Sequence, residues 1–259
     1  MFAPLPDLAK CRILLCNDDG IAAQGLAVLE RIARSLSDDV WVVAPTLEQS
    51  GAGHSLTIHH PLRPIKIGEK RYSVTGTPTD TVMVALHHLM KDTPPDLILS
   101  GVNHGSNLGE DVHYSGTVAG ALEGVLLGVR SIALSQVFVD RADISWAAAE
   151  RFAPDLIAKI CRAACPKNVL VNVNFPARRP EDVFGVKVTA QGKNKVGDNL
   201  ILREDPRGRP YLWIGARLEA ESFADDSDFK AVDDGFISVT PLNVDLTDRS
   251  AMDILRKVL

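Results

Sequence analysis

The chain has 259 residues, 46% of them hydrophobic, with a formal charge of -5, which is enough to bury a large core in a single domain. That charge, with no Lys/Arg-rich block, excludes a binder of nucleic-acid duplexes, and neither a secretory h-region nor an apolar run near the ~18 residues of a membrane span occurs. Four cysteines, Cys11, Cys16, Cys161 and Cys165, lack C-x-x-C spacing and indicate free thiols in a reducing, cytoplasmic setting.

In chain order, the apolar run Ile13 to Cys16 predicts a buried strand, residues 25–35 place Leu26, Leu29, Ile32 and Ala33 at helical spacing, and residues 40–43 read as the next strand. Short strands at 62–67 and 72–74 flank a Gly68-Glu69 turn, followed by a helix over 79–90 and a strand over 97–99. A Gly- and Asn-rich loop then leads to a helix at 117–127 whose small residues permit close packing. Next come a strand at 132–134, the longest helix at 146–165 and a strand at 169–173. This alternation predicts an α/β, Rossmann-like fold: a mostly parallel sheet with helices on both faces, its core over about residues 1–182. From about 183 to 259 the pattern becomes β-rich. Strands at 186–190, 200–203, 211–214 and 236–240 precede a single helix at 251–259, and segments 199–203 and 211–214 flank Asp205-Pro206-Arg207-Gly208-Arg209-Pro210 as a protruding β-hairpin bearing Trp213.

Chemistry concentrates in four polar stretches that follow strands: Asn17-Asp18-Asp19-Gly20, QSGAGHSLT (49–57), GTPTD (76–80) and SGVNHGSNLGEDVHYSGT (100–117). At the carboxyl end of the first strand, a turn can bring Asp18 and Asp19 together. Two carboxylates about 4 Å apart repel by about 1 kcal/mol in water and about 4 kcal/mol at an effective dielectric of about 20, so the pair calls for a proton or a hard divalent cation. The same tetrapeptide is also ordinary turn chemistry. Asp233-Asp234-Gly235, ahead of the alternating run 236–240, is read as a plain turn into a strand. Ser115, Gly116 and Thr117 open a helix and suit an anion at its positive end, although N-capping by Ser115 or Thr117 is the simpler reading of those residues alone. Oxygen and amide donors without thiolates or paired histidines favour Mg²⁺ or Mn²⁺ over Zn²⁺. His59-His60 and His87-His88 read as surface pairs, whereas His54, His104 and His113 lie within the polar loops, where one could assist proton transfer. Cys161 and Cys165 share a helix face, but no second ligand pair accompanies them.

The motifs NDDG, Ser50-Gly51, GTPTD and above all SGVN-x-G-x-N-L-G-E-D-V-x-YSGTV-x-G-A-x-EG, together with NVNFP (172–176) and AVDDGFISVTPL (231–242), resemble the SurE survival proteins over nearly the whole chain and in the family's order. The resemblance implies a metal-dependent 5'/3'-nucleotidase acting on nucleoside monophosphates. It also implies one divalent ion per subunit held by Asp18, Asp19, Ser50 and Asn103, with Asp18 and Asp19 as the catalytic carboxylates. Asn107, Ser115, Gly116 and Thr117 would line the phosphate pocket, and exchange of C-terminal segments would give a homodimer or homotetramer. One departure stands out: DGIAAQG puts Ala23-Gln24 where the family usually has Ala-Pro. The rival readings are a metal-dependent deacetylase, which wants a histidine ligand where Cys16-Asn17 stand, and a nucleotide-sensing protein without turnover.

Overall fold

The computed structural model describes residues 1–140, 142–193, 200–215 and 223–259. The first strand, β1 (Ile13–Cys16), is buried at every position, as a continuous apolar run at the centre of a parallel sheet should be. It pairs in parallel with β2 (Val40–Pro45) on one side and with β5 (Leu97–His104) on the other. Outward from β2 lie β4 (Arg71–Val74) and the antiparallel edge strand β3 (Pro64–Gly68); outward from β5 lie β6 (Arg130–Gln136) and β7 (Val169–Phe175).

Strand alternation divides the core. Ile13 and Leu15 face one layer, where Leu26, Leu29 and Ile32 of α1 (Gln24–Arg34) meet Leu156 and Ile157 of α4 (Ala147–Arg162). Leu14 and Cys16 face the other, with Val82 of α2 (Pro78–Val84). On that second face α3 (Gly116–Leu126) contributes Val118, Ala121 and Val125 against Ala133 and Leu170. The Rossmann-like sheet with helices on both faces therefore stands as expected.

Three elements differ from the sequence reading. First, the helix expected over 79–90 becomes a π-turn after Val84, over Ala85–Leu89, leaving His87 and His88 exposed. Second, β5 runs on to His104 instead of stopping at Leu99, so Asn103 sits on a strand. The polar composition of Ser100 to His104 hid this extension, which is stabilised by pairing of Asn103 and His104 with Ser135 and Gln136 of β6. Third, Asp233-Asp234-Gly235 closes a short helix, α5 (Asp228–Asp233). Gly235 N–H donates to Val232 O, and Phe236 N–H to Ala231 O, with Gly235 at φ +88°; this is a glycine helix cap, and the plain-turn role holds.

The C-terminal region is partly absorbed into the main sheet. β11 (Ile237–Asn243) pairs antiparallel with β7, and β8 (Val186–Val188) pairs parallel with β11. Separate from that sheet, β9 (Leu200–Glu204) and β10 (Pro210–Ile214) form the expected antiparallel hairpin, with Leu202 opposite Leu212; Asn199 lies outside the described residues. The last helix, α6, covers Arg249–Leu255. Among the described residues no helix is long and apolar enough to cross a membrane.

How closely α3 approaches the sheet is set by glycines four residues apart. A Cβ on Gly116 would lie 2.6 Å from Asp18 Cβ, one on Gly120 2.9 Å from Cys16 Sγ, and one on Gly124 2.3 Å from Ser131 Oγ. Gly124→Leu should therefore lower stability by about 1–3 kcal/mol through overpacking, read as a lower urea midpoint at unchanged slope. An unchanged midpoint would mean that the helix is free to back away from the sheet.

Candidate active site

At the end of β1 the strand order reverses, with β2 to one side and β5 to the other. Such a switch point leaves a crevice beyond the carboxyl ends of the strands. The turn Asn17 to Gly20 lies there. Buried Asn17 closes it by donating Nδ2–H to Gly20 O at 3.0 Å, and Gly20 takes φ +97°, a conformation open to glycine.

Asp18 is only 4% exposed, and the Thr117 hydroxyl donates to its Oδ1. Burial pushes its carboxyl up to about 6, against the stabilising Thr117 hydrogen bond, and the neighbouring Asp19 charge pushes the same way. Asp19 is half-buried, and its Oδ2 accepts the backbone N–H of His104 at 3.2 Å. Gln49 N–H donates to Asp18 O at 2.7 Å, tying the loop that carries Ser50 to the same turn.

Asp18, Ser50, Asn103, Asn107 and Ser115 line one cleft of about 210 Å³, together with Tyr114 and His104. Asp19 borders an adjoining cleft of about 200 Å³ with Gln24, Glu48 and Trp146, and His104 forms part of both walls. Gly116 and Thr117 are buried beneath Asp18: the glycine admits the carboxylate, and the Thr117 hydroxyl is spent on it. Ser115 does cap α3, accepting Val118 N–H at 3.0 Å, while also lining the cleft.

Several motif residues that look reactive in the sequence hold this arrangement in place. Asn172 and Asn174 of NVNFP both donate side-chain N–H to Asn107 O, Asn107 N–H donates to Asn174 Oδ1 at 2.8 Å, and Asn107 Nδ2–H donates to Ser135 Oγ at 2.8 Å. In GTPTD, Thr77 and Asp80 form a capping box for α2, and the second oxygen of Asp80 accepts Thr57 N–H at 3.1 Å. His54 Nε2 sits 2.7 Å from Oε2 of buried Glu123 on α3, fastening the loop that follows Ser50. Asp228 accepts the N–H groups of Gly109, Gly192 and Phe229, joining the C-terminal region to the long polar loop; burial raises its pKa despite those three donors. His104, named with His54 and His113 only as a loop histidine, is the residue the clefts share; the extension of β5 places it there.

The donors fit a hard cation. They are two carboxylates, a hydroxyl and a side-chain amide, all supplying oxygen. Among the described residues no three His, Cys, Asp or Glu side chains are placed to hold a metal ion by themselves, and no Lys or Arg pairs with Asp18. A thiolate site is unsuitable, because burial pushes the Cys16 thiol up to about 12 and that of Cys161 up to about 11.

Fold and site together define an α/β protein with a buried carboxylate and oxygen donors gathered at the switch point of a mostly parallel sheet. The family model described as "Survival protein SurE" matches residues 13–198. A protein of Rhodospirillum rubrum named 5'-nucleotidase SurE is 57% identical over 259 residues, covering 98% of each chain. One of the same name from Brucella canis is 55% identical over 239 residues, covering 91% of this chain and 93% of its own. The crystal structure of the SurE protein from Aquifex aeolicus superposes with a TM-score of 0.84 at 40% identity, covering 95% of this chain and 99% of the other. The chain belongs to the SurE family.

A carboxyl that binds its proton more tightly when folded makes the native state less favourable as it ionises. In metal-stripped protein the contribution of Asp18 to stability should be present below pH ~4 and lost as the pH rises from the ordinary 3.8 to about 6. Thermal melts of wild type and Asp18→Asn across that window should diverge, with the wild type losing more. Parallel curves would show that Asp18 ionises as freely folded as unfolded.

Proposed function

We propose that the protein is a metal-dependent phosphomonoesterase that hydrolyses nucleoside 5'- and 3'-monophosphates to nucleoside and inorganic phosphate. The observation that carries this reading is the Asp18 carboxylate, buried without a cationic side chain at the floor of a cleft whose other lining groups include Ser50, Asn103, Asn107 and Ser115. The 5'-nucleotidase name of the close relatives supports the same activity.

Asp18, Asp19, Ser50 and Asn103 would hold one Mg²⁺ or Mn²⁺ per subunit. When bound, that ion supplies positive charge that polarises the phosphoryl group and makes a water more acidic, so no Ser-His-Asp triad is needed. Thr117 keeps Asp18 ionised and oriented through its hydroxyl. Asn107, fixed from behind by Asn172 and Asn174, and Ser115 at the start of α3 contact the phosphate oxygens, where donors held in place in advance stabilise charge without reorganising. Gly116 leaves room for Asp18 against the start of α3. His104 N–H steadies Asp19.

Asp18→Asn and Asp19→Asn should each lower phosphate release from nucleotides by about 100-fold or more while leaving the circular dichroism spectrum unchanged. Chelation should silence the wild type, with recovery on adding Mn²⁺ or Mg²⁺. Full activity in stripped protein shown to be metal-free by elemental analysis, or near-normal turnover by either variant, would contradict the mechanism. A protein that binds nucleotide without turnover would release no phosphate at all.

We further propose that the β9–β10 hairpin builds a homodimer or homotetramer. Its Leu202 is 63% exposed and its Trp213 62%, and a two-stranded hairpin with so much apolar surface is marginal alone in water. Light scattering should give an oligomer for the intact chain and a smaller species when residues 200–213 are replaced by a Gly/Ser linker. An unchanged mass after replacement would exclude the hairpin as the contact.

A further inference from the structure

The cleft beside the proposed phosphate site, bordered by Asp19, Gln24, Glu48, His104 and Trp146, has no part in the mechanism above beyond Asp19 and His104. We propose that it is the subsite for the nucleoside end of the substrate, with Gln24 as a specificity-determining residue. This rests on the phosphomonoesterase reading.

Contiguity is the first argument. A nucleotide whose phosphate lies against Asn107 and Ser115 must send its nucleoside out through a neighbouring space, and this cleft shares His104 with the phosphate cleft. A hydrogen bond also joins the two linings: Ser50 Oγ of the phosphate cleft donates to Glu48 Oε1 at 2.9 Å. A larger cavity of about 350 Å³ lies behind α3, but Val112, Leu122, Leu126, Leu170 and Leu242 line it and it has no lining residue in common with the phosphate cleft.

The lining chemistry is the second argument. Gln24 is exposed at the first position of α1, and its amide offers a donor pair and an acceptor on one planar group, the complement of a base edge or of ribose hydroxyls. Glu48 adds an acceptor. The His104 ring is braced in advance by Phe138, edge-on at 5.3 Å, and by Trp146 at 6.0 Å. A ring held in this way gives a flat surface for a base to stack on at small entropic cost. The start of α1 is itself fixed: Ala23 N–H donates to Gly20 O at 3.1 Å, and a Cβ on Gly25 would lie 2.0 Å from Val102 O.

Alanine suits the first turn of a helix, so Gln24→Ala should keep the fold. The test compares wild type and Gln24→Ala on adenosine, guanosine, cytidine and uridine 5'-monophosphates, on ribose 5-phosphate and on p-nitrophenyl phosphate, with adenosine as a competitive inhibitor. In the variant, kcat/KM for nucleotides relative to p-nitrophenyl phosphate should fall about tenfold, the worth of one lost hydrogen bond. The loss should appear mainly in KM, the spread among the four bases should narrow, and adenosine should inhibit correspondingly less. Turnover with an unchanged ratio and unchanged adenosine inhibition would overturn this proposal and leave the phosphatase reading standing. Release of no phosphate from any of the six compounds by the folded wild type would overturn both.

Discussion

A carboxylate held out of water against the first turn of a helix is the constraint on which the rest of the site depends. Asp18 can be buried only because position 116 has no Cβ, and it can be used as an anion only because Thr117 donates to it. Burial and the Asp19 charge push its pKa up to about 6 even with Thr117 donating to it, so the hydroxyl, the start of α3 and any cation brought to the cleft act in the opposite direction to that shift. Gly120 and Gly124 carry the same close approach down the helix, against Cys16 and Ser131. The geometry at the carboxylate is thus set by packing along the whole length of α3 as well as by the residues that touch it.

The surrounding loops divide into groups that face the clefts and groups that hold those in place. Thr77, Asp80, Asn172, Asn174, His54 and Asp228 belong to the second kind, each pinning backbone or a neighbouring element. Leaving any of their buried partners unsatisfied would cost more than the bond itself is worth. That asymmetry gives such residues fixed identities without direct contact with a substrate.

Strand and helix periodicity made the α/β fold legible, because β1 is apolar throughout and α1 and α4 each present one apolar stripe. The position of Asp18 and Asp19 at the end of β1 was legible for the same reason. What the sequence could not show was division of labour within a motif. Ser115, Gly116 and Thr117 read alike as an anion-binding turn, yet only Ser115 lines the cleft, while Gly116 and Thr117 serve Asp18 from below. The extension of β5 was hidden because Ser100 to His104 have loop composition and are held as strand by pairing with β6, a tertiary effect that overrides local propensity. The position of His104 was hidden for a related reason, since a wall shared by two clefts has no signature in spacing. The short helix α5 was missed because its Asp-rich end resembles a turn and its glycine cap reads as one.

The proposed mechanism requires the oxygens of Asp18 and its neighbours to bind one divalent cation per chain. Titration of chelator-stripped protein with Mn²⁺, followed by the electron paramagnetic resonance signal of the free ion, tests it most directly. One Mn²⁺ should disappear from solution per chain in the wild type, with weakened binding in Thr117→Val and none at the same concentrations in Asp18→Asn. Equal stoichiometry and affinity in Asp18→Asn and wild type would contradict the account.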